Sequence, residues 1–502
     1  MLIANELKKR VEQQPNKLIS VFNDRKTTYR EFYKRAEKLA GYFQERGYGK
    51  DDVVALLLPN TDYFLVCYYA CQIGGFPVLP INTKLASSEI SYILDHSEAK
   101  ALIYDKQFED TVNKLVPNIS SLQDTVTVGD THTPNRLEDI VAGPDRKVRQ
   151  NQTEDDDTAV IFYTSGTTGR PKGVMLTNKN ILSIAQIWSE SMELTNEDRM
   201  QIVAPLFHCA ASHVFMVPII YSGGMLVIEE GFSPERAIKT MESENVTIFF
   251  GVPAMYSILL TSPRLQQVSV PHLRLLTYGA APMPFELVKR VKEVFSDVKV
   301  QNLYGQTENS PGATTLKDHH ALEKVGSVGE PLPQSEVRVV DECGKDVAVG
   351  EVGEIIVKGP HVMKGYLKNE EATRETLKDG WLYSGDLGRL DEEGLLYIVD
   401  RKKDMIIRGG ENIYPVEIEE VLYQIPEILE AAIIGVPDEV LGEVPKAVVA
   451  MKEGKAVSEE QIIDYCLERL AKYKVPNEVE FVSSLPRNAS GKVLKRQLRG
   501  DK

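Results

Sequence analysis

The feature that most constrains the fold is an alternation of short apolar runs with amphipathic helical patterns along most of the chain. The run Val53–Leu58 is apolar throughout, which is typical of a strand buried on both faces, and Leu273–Tyr278 is a second, mostly apolar run that predicts a buried strand. Between such runs lie helical patterns, and Thr28 and Glu31 have the spacing of a capping box at the start of one. The alternation predicts an α/β fold of two doubly wound sheets packed together, with ligands at the carboxyl ends of the strands.

The pattern changes towards the C-terminus. From about Val325, short strands separated by glycine-rich turns predict a small antiparallel β-barrel or sheet. The last hundred residues predict a small α+β unit. Because 502 residues exceed what one hydrophobic core usually serves, we expect a large N-terminal domain over residues 1–400 and a small C-terminal domain over residues 401–502.

The segment Tyr163–Gly173 reads Tyr-Thr-Ser-Gly-Thr-Thr-Gly-Arg-Pro-Lys-Gly and lies between two apolar runs. Its glycines allow backbone N–H groups to approach an anion closely, and its hydroxyl groups add donors. Arg170 and Lys172 add positive charge, so the segment predicts a loop that binds polyphosphate. It is not a Walker loop, because Gly173 follows Lys172 where a serine or threonine is required, and the Rossmann spacing is also absent.

A second motif, Tyr304–Glu308, follows an apolar run that predicts a strand. Magnesium ions are commonly held by one or two carboxylates together with phosphate oxygens and waters. The carboxylate of Glu308 suits that role, and the ring of Tyr304 suits stacking on a nucleobase. Farther along, Asp386 follows another strand pattern, and a carboxylate can accept hydrogen bonds from two ribose hydroxyls.

Together and in this order, these motifs resemble those of the adenylate-forming (AMP-binding) superfamily, which includes acyl-CoA synthetases, aryl-CoA ligases, firefly luciferase and peptide-synthetase adenylation domains. The resemblance covers nearly the whole chain and is strongest to bacterial medium- and long-chain fatty acyl-CoA synthetases. It implies that a carboxylic acid reacts with ATP and Mg²⁺ to give an acyl-adenylate and pyrophosphate. The acyl group then passes to CoA, the co-substrate, and AMP is released.

The resemblance also implies a role for individual residues. Catalysis is expected from Lys492, Thr164 and Glu308, with Glu308 as the metal ligand. The implied ATP-binding residues are Thr164, Ser165, Gly166, Thr167, Thr168, Gly169, Lys172, Gly279, Ala280, Ala281, Asn302, Tyr304, Gly305, Thr307, Asp386, Arg401 and Lys492. Lys403 occupies the position of the hinge that makes the C-terminal domain mobile, and Gly409 and Gly410 belong to the CoA tunnel. The family often has two glycines where this chain has Gly279-Ala280.

The implied acyl pocket consists of Phe207, His208, Ala211, Phe215, Val252, Tyr278 and Gly279. Relatives that activate amino acids carry an aspartate near Phe207-His208, whereas Leu206–Phe215 contains no acidic residue, which argues against an amino acid. The apolar wall favours a fatty acid, and an aryl acid such as a benzoate or coumarate is the alternative. An alternative of another class is a non-catalytic nucleotide-binding regulator on the same scaffold, although the presence of Lys492, Glu308 and Asp386 argues against it.

The composition limits which binding partners and which cellular compartment are expected. The net charge of −15 argues against non-specific binding to nucleic acid. No run approaches the roughly 18 apolar residues of a transmembrane helix, so any membrane contact is expected to be peripheral. Five scattered cysteines without a Cys-x-x-Cys pair predict reduced thiols in a cytoplasmic protein and no zinc site. A homodimer is left open.

Overall fold

The computed structural model describes residues 2–130, 135–149, 153–164, 170–438, 440–487 and 493–500. Its α-helices are α1 (Ile3–Gln13), α2 (Tyr29–Glu45), α3 (Asp62–Gly74), α4 (Ser87–His96), α5 (Glu109–Leu115), α6 (Leu137–Ala142), α7 (Asn178–Ser191), α8 (Val217–Ser222), α9 (Pro234–Ser243), α10 (Pro253–Leu259), α11 (Phe285–Val294), α12 (Glu370–Thr376), α13 (Pro415–Leu422), α14 (Glu459–Leu467) and α15 (Lys495–Leu498). Within these described residues, no helix is both long and apolar enough to cross a bilayer.

The strands are β1 (Leu18–Phe22), β2 (Arg25–Thr28), β3 (Val54–Leu57), β4 (Val78–Pro80), β5 (Ala101–Asp105), β6 (Asp124–Val128), β7 (Thr158–Thr164), β8 (Lys172–Thr177), β9 (Arg199–Ile202), β10 (Met225–Ile228), β11 (Ile248–Gly251), β12 (Leu275–Gly279), β13 (Lys299–Tyr304), β14 (Thr314–Leu316), β15 (Ser327–Pro331), β16 (Glu336–Val340), β17 (Gly353–Lys358), β18 (Gly365–Tyr366), β19 (Leu377–Lys378), β20 (Trp381–Leu390), β21 (Leu396–Arg401), β22 (Ile406–Arg408), β23 (Glu411–Ile413), β24 (Ile428–Asp438), β25 (Gly442–Met451) and β26 (Glu478–Val482).

The backbone divides into two compact units. The first comprises Met1–Val337 and Val357–Tyr383, and the second comprises Arg338–Ile356 and Ser384–Lys502. The second unit thus takes in two segments that precede residue 401. The functional domains at 1–400 and 401–502, and a hinge at Lys403, stay predictions.

The first unit contains the two predicted doubly wound sheets. In one, the strands lie in the order β15-β14-β13-β12-β11-β9-β10-β1-β2, and the pairs from β13 to β1 are parallel. In the other, the order is β18-β8-β7-β4-β3-β5-β6, and the pairs from β7 to β6 are parallel. The α/β prediction is therefore confirmed, and the parallel strands direct their carboxyl ends to one edge of each sheet.

Burial follows the apolar patterns that predicted it. Strands β3, β11 and β12 are buried along their whole length, as is the apolar helix α3. Helix α2 begins with the predicted capping box: the Thr28 hydroxyl accepts from the Glu31 amide at 3.3 Å, and the Glu31 carboxylate accepts from the Thr28 amide at 2.9 Å. Such a cap is worth about 1 kcal/mol of helix stability.

The second unit contains a sheet in the order β23-β22-β25-β24, with β26 pairing with β25 in parallel. Helices α13 and α14 pack on it through a core that includes Ile418, Leu422 and Ile462. Strands β16, β17, β20 and β21 also follow one another in a sheet, with β20 and β21 antiparallel. The α+β prediction for the last hundred residues agrees with these elements.

Candidate active site

The predicted phosphate loop lies between the antiparallel strands β7 and β8, in the sheet that runs from β18 to β6. Thr164, the last residue of β7, pairs with Lys172, the first residue of β8, and the preceding residue Tyr163 pairs with Gly173. Both ends of the loop are therefore fixed by a strand ladder, and the side chains of Thr164 and Lys172 are half-buried. The predicted ligands Ser165, Gly166, Thr167, Thr168 and Gly169 lie outside the described residues.

Side chains from helix α4 support both ends of this loop. His96 Nδ1 and the Tyr163 hydroxyl share a hydrogen bond of 2.7 Å. The Arg170 guanidinium lies 5.5 Å from the ring centroid of Tyr92, one turn earlier on the helix. Burial, and then the nearby Lys368 ammonium, lower the pKa of His96, which favours the neutral imidazole at neutral pH. The loop is thus attached to a rigid element on each side.

The other sheet of the first unit, which contains β11, β12 and β13, brings several predicted residues to one edge. Gly251, Tyr278 and Asn302 are neighbours on β11, β12 and β13, whose carboxyl ends coincide. Val252, Gly279 and Tyr304 lie at the same ends. The structure therefore groups residues of the implied acyl pocket with residues of the implied adenine site. Asn302 has a structural role as well, because its amide donates to the Ser327 carbonyl at 3.0 Å.

The turn after β12 has a geometry that suits the two glycines implied by the resemblance, where this chain has Gly279-Ala280. A Cβ on Gly279 would lie 2.5 Å from the Leu303 carbonyl oxygen, so the backbone leaves no room for a side chain there. Ala280 is exposed and has φ +65°, in the left-handed region that disfavours residues with a Cβ. The alanine is accommodated in space but strained in conformation.

We predict that Ala280→Gly raises the free energy of unfolding by up to about 1 kcal/mol, because relief of the left-handed strain exceeds the added entropy of the unfolded chain. The neighbouring Ala281→Gly is the matched control. Ala281 has no positive φ, so its replacement should lower stability by about 0.5–1 kcal/mol. Urea unfolding of the two variants measures the difference, and equal losses would contradict the prediction.

The motif Tyr304–Glu308 forms a tight turn after β13. Its last residues start the 3₁₀ turn Thr307–Asn309, and the Asn309 side-chain oxygen accepts from the Gln306 amide at 2.7 Å and from the Gly312 amide at 3.0 Å. The Glu308 carbonyl accepts from the Met363 amide at 2.8 Å. These bonds hold Thr307 and Glu308 in a defined place at the strand end.

The Glu308 carboxylate is half-buried, and its Oε1 accepts a hydrogen bond of 2.9 Å from the Tyr366 hydroxyl. Among the described residues, no three or more His, Cys, Asp or Glu side chains gather as a metal-binding group. A magnesium ion held by one carboxylate and by phosphate oxygens and waters needs no such group. Glu308 therefore fits the implied metal ligand.

The implied acyl pocket centres on the end of β9 and the helix that follows. Residues Ala210–Met216 form a π-helix, a rare conformation that is frequent at functional sites. Ala211 and Phe215 on it are buried, and the Phe215 ring lies 4.8 Å from that of Phe250 on β11. Phe207 is buried just before this helix, whereas His208 is exposed.

His213 lies on the same π-helix and is fully buried. Its Nε2 and the Tyr68 hydroxyl are 2.8 Å apart, and its ring meets Phe162 edge to face at 5.1 Å. Burial lowers the pKa of His213 to about 3, so the imidazole is neutral at physiological pH. It acts as a packing residue between helix α3 and strand β7.

The second unit carries the remaining predicted residues. Asp386 on β20 is opposite Arg401 on β21, with Oδ1 and Nε 3.2 Å apart. Asp386 is 4% exposed and Arg401 remains half-exposed, which leaves the guanidinium open to a ligand. Lys403 is exposed two residues later.

Gly409 and Gly410 form the two-residue turn between β22 and β23. Their φ angles of +58° and +91° are those of a type I′ turn, which explains the two glycines without reference to a ligand. Both are exposed, so a role in the CoA tunnel stays a prediction. Lys492, the implied catalytic lysine, lies outside the described residues.

Two residues that the sequence did not single out are part of the site's framework. Tyr366 contacts Glu308 and also Lys172, and Asn309 closes the turn that presents Glu308. No local pattern marks Tyr366. Asn309 could have been found as the residue three after Gln306, since side-chain amides often cap such turns.

Two family models match the chain. The one described as AMP-binding enzyme matches residues 7–367, and the one described as AMP-binding enzyme C-terminal domain matches residues 417–492. A feruloyl-CoA synthase of an Amycolatopsis species is 38% identical over 478 residues, covering 94% of this chain and 93% of that protein. A long-chain-fatty-acid–CoA ligase of Mycobacterium tuberculosis is 36% identical over 481 residues, covering 95% and 93%.

Solved structures agree with these relatives. The o-succinylbenzoate coenzyme A synthetase of Bacillus subtilis, in complex with ATP and magnesium ion, superposes with a TM-score of 0.88 at 32% identity. The match covers 98% of this chain and 99% of that one.

Proposed function

Because the chain belongs to the AMP-binding enzyme family and is an adenylate-forming acid–CoA ligase, we propose that the acid it activates is a medium- or long-chain fatty acid. Because this family consists of enzymes, the alternative of a non-catalytic nucleotide-binding regulator is rejected. The ligase uses ATP and CoA, and the magnesium-bound relative supports Mg²⁺ as the metal.

One observation carries the proposal about the acid. The three segments that meet at the implied acyl pocket, residues 204–216, 248–260 and 275–283, contain no Asp, Glu, Lys or Arg. A buried charge without a partner costs several kcal/mol. A substrate ammonium or a second carboxylate would therefore find no partner in these segments, which favours an acid with an uncharged tail.

The apolar side chains of the implied acyl pocket favour an alkyl tail. Phe215, Phe250 and Ala211 are buried and apolar, and each buried CH₂ of a fatty acid gains about 0.8 kcal/mol on leaving water. The second candidate is an aryl acid of the feruloyl type. It is supported by the feruloyl-CoA synthase relative and by the buried Tyr278, whose phenol at the strand edge suits contact with a ring substituent.

In the first half-reaction, a carboxylate oxygen of the acid attacks the α-phosphorus of ATP, and the bond to pyrophosphate breaks. We assign Thr164, Lys172 and Thr307 to the phosphates and Asp386 to the ribose hydroxyls. Glu308 would hold Mg²⁺, which supplies positive charge to the phosphate oxygens. Lys492 would stabilise charge developing at phosphorus.

In the second half-reaction, the CoA thiol displaces AMP from the acyl-adenylate. We assign the Gly409-Gly410 turn to the pantetheine path and Lys403 to the hinge on which the C-terminal domain changes position between the two reactions. The cytoplasm is the proposed compartment, because none of the five cysteines is paired in the structure.

We expect AMP formation with octanoate to palmitate to exceed that with benzoate, ferulate, succinylbenzoate or alanine by at least about tenfold in kcat/KM, since several buried CH₂ groups contribute. The measurement is an acid panel with ATP, Mg²⁺ and CoA. Ala211→Phe is the matched pocket variant, and it should shift the optimum to shorter acids. Preference for ferulate would replace the fatty acid by the aryl acid, and activity with succinylbenzoate would contradict an uncharged tail.

A further inference from the structure

Tyr366 connects the predicted metal carboxylate with the phosphate-loop lysine. Its hydroxyl donates to Glu308 Oε1 at 2.9 Å. The Lys172 ammonium lies 4.2 Å from the centroid of the same ring, which is within cation–π range. One side chain thus contacts two groups that come from different sheets and are 136 positions apart in the sequence.

The position of Tyr366 is determined by its backbone. Strand β18 pairs with β8, with Tyr366 opposite Val174, and the Leu367 amide donates to the Gly173 carbonyl at 2.7 Å. The Tyr366 amide donates to the Thr373 hydroxyl at 2.9 Å. Upstream, the Met363 amide is bonded to the Glu308 carbonyl. The segment is therefore attached both to the phosphate-loop hairpin and to the turn that carries Glu308.

The Tyr366 side chain is 5% exposed, so its ring has little freedom to move. In the contact with Glu308 the phenol O–H is the donor, because an ionised carboxylate can only accept hydrogen bonds. A donated hydrogen bond to one carboxylate oxygen restricts rotation of the group and leaves Oε2 for another ligand.

We propose that Tyr366 is a positioning residue for the adenylation step: its hydroxyl orients the Glu308 carboxylate for magnesium, and its ring holds the Lys172 ammonium for the phosphates. The proposal rests on the assignment of Glu308 as metal ligand. Partners that orient metal-binding side chains typically contribute 10- to 100-fold to metal affinity or activity.

Two substitutions separate the two contacts. Tyr366→Phe keeps the ring near Lys172 and removes only the hydroxyl. We expect it to weaken binding of ATP with Mg²⁺ about tenfold, and to change binding of ATP in EDTA by less than about twofold. Tyr366→Leu removes the ring as well, and it should also weaken ATP binding in EDTA. Titration calorimetry without acid or CoA measures both affinities without turnover.

Tyr29→Phe is the matched control, because Tyr29 is also buried and its hydroxyl donates to the Gly224 carbonyl at 2.7 Å. It should lower the melting temperature as Tyr366→Phe does, without changing magnesium dependence. A general structural role for Tyr366 would make the two variants alike, which would overturn the proposal.

A double-mutant cycle with Glu308→Gln distinguishes failure of this proposal from failure of the metal assignment. If Tyr366 acts through Glu308, adding Tyr366→Phe to Glu308→Gln should change the MgATP affinity by less than about twofold. If Glu308→Gln alone leaves magnesium dependence intact, the metal assignment is wrong. If Glu308→Gln weakens the magnesium dependence of ATP binding but Tyr366→Phe does not, only the role of Tyr366 is overturned.

Discussion

Replacing Glu308 by glutamine should lower kcat/KM for MgATP by about 100-fold or more in acid-dependent exchange of pyrophosphate into ATP. Loss of one preorganised electrostatic contact at a transition state commonly costs 10²- to 10³-fold. The substitution keeps the size of the side chain, and the Tyr366 hydroxyl can still donate to the amide oxygen. The decrease in kcat/KM should therefore reflect removal of the negative charge of Glu308 and not a change in the conformation of the turn.

The dependence on magnesium concentration makes this test specific. If Glu308 binds the ion, the variant should need a higher Mg²⁺ concentration for half-maximal exchange, and its melting temperature should remain close to that of the parent protein. Glu323→Gln makes the same change of charge at an exposed position of the same unit and should leave exchange unchanged. Normal exchange by Glu308→Gln would remove Glu308 from the mechanism.

The sequence predicted elements whose signal is local. Strands β3 and β11 are buried on both faces and contain only apolar residues and glycine, so the pattern is unambiguous. The capping box at Thr28 was predictable for the same reason, because the two side chains that form it are three positions apart. The two apolar runs on either side of the phosphate loop are likewise part of strands, β7 and β8.

Contacts between distant residues could not be predicted in this way. The hydrogen bond from Tyr366 to Glu308 spans 58 positions, and that between Tyr68 and His213 spans 145. The π-helix at Ala210–Met216 depends on how the chain packs after β9, since its residues would also suit an α-helix. The motif resemblance identified Glu308 as a candidate, whereas its hydrogen-bond partner Tyr366 is evident only from the structure.

Gly305→Ala should also reduce pyrophosphate exchange by about 100-fold, although residue 305 itself offers no side chain to a ligand. A Cβ at this position would lie 2.6 Å from the Gly312 amide nitrogen and 2.7 Å from the Pro311 carbonyl carbon. Both are backbone atoms, so the turn would have to move. It would also come within 3.1 Å of the Asn309 side-chain oxygen that closes the turn.

The displacement would carry Thr307 and Glu308 with it, and an error of about 1 Å in a reacting group can cost about 100-fold in rate. Overpacking should in addition lower the free energy of unfolding by about 1–3 kcal/mol. Gly231→Ala is the control, because a Cβ there meets no atom within 4 Å and the backbone has no positive φ. Exchange and urea unfolding are measured on both variants under the same conditions. If Gly305→Ala loses stability but retains full exchange, the turn can shift without moving the carboxylate, and the close backbone packing around residue 305 is not what places Glu308.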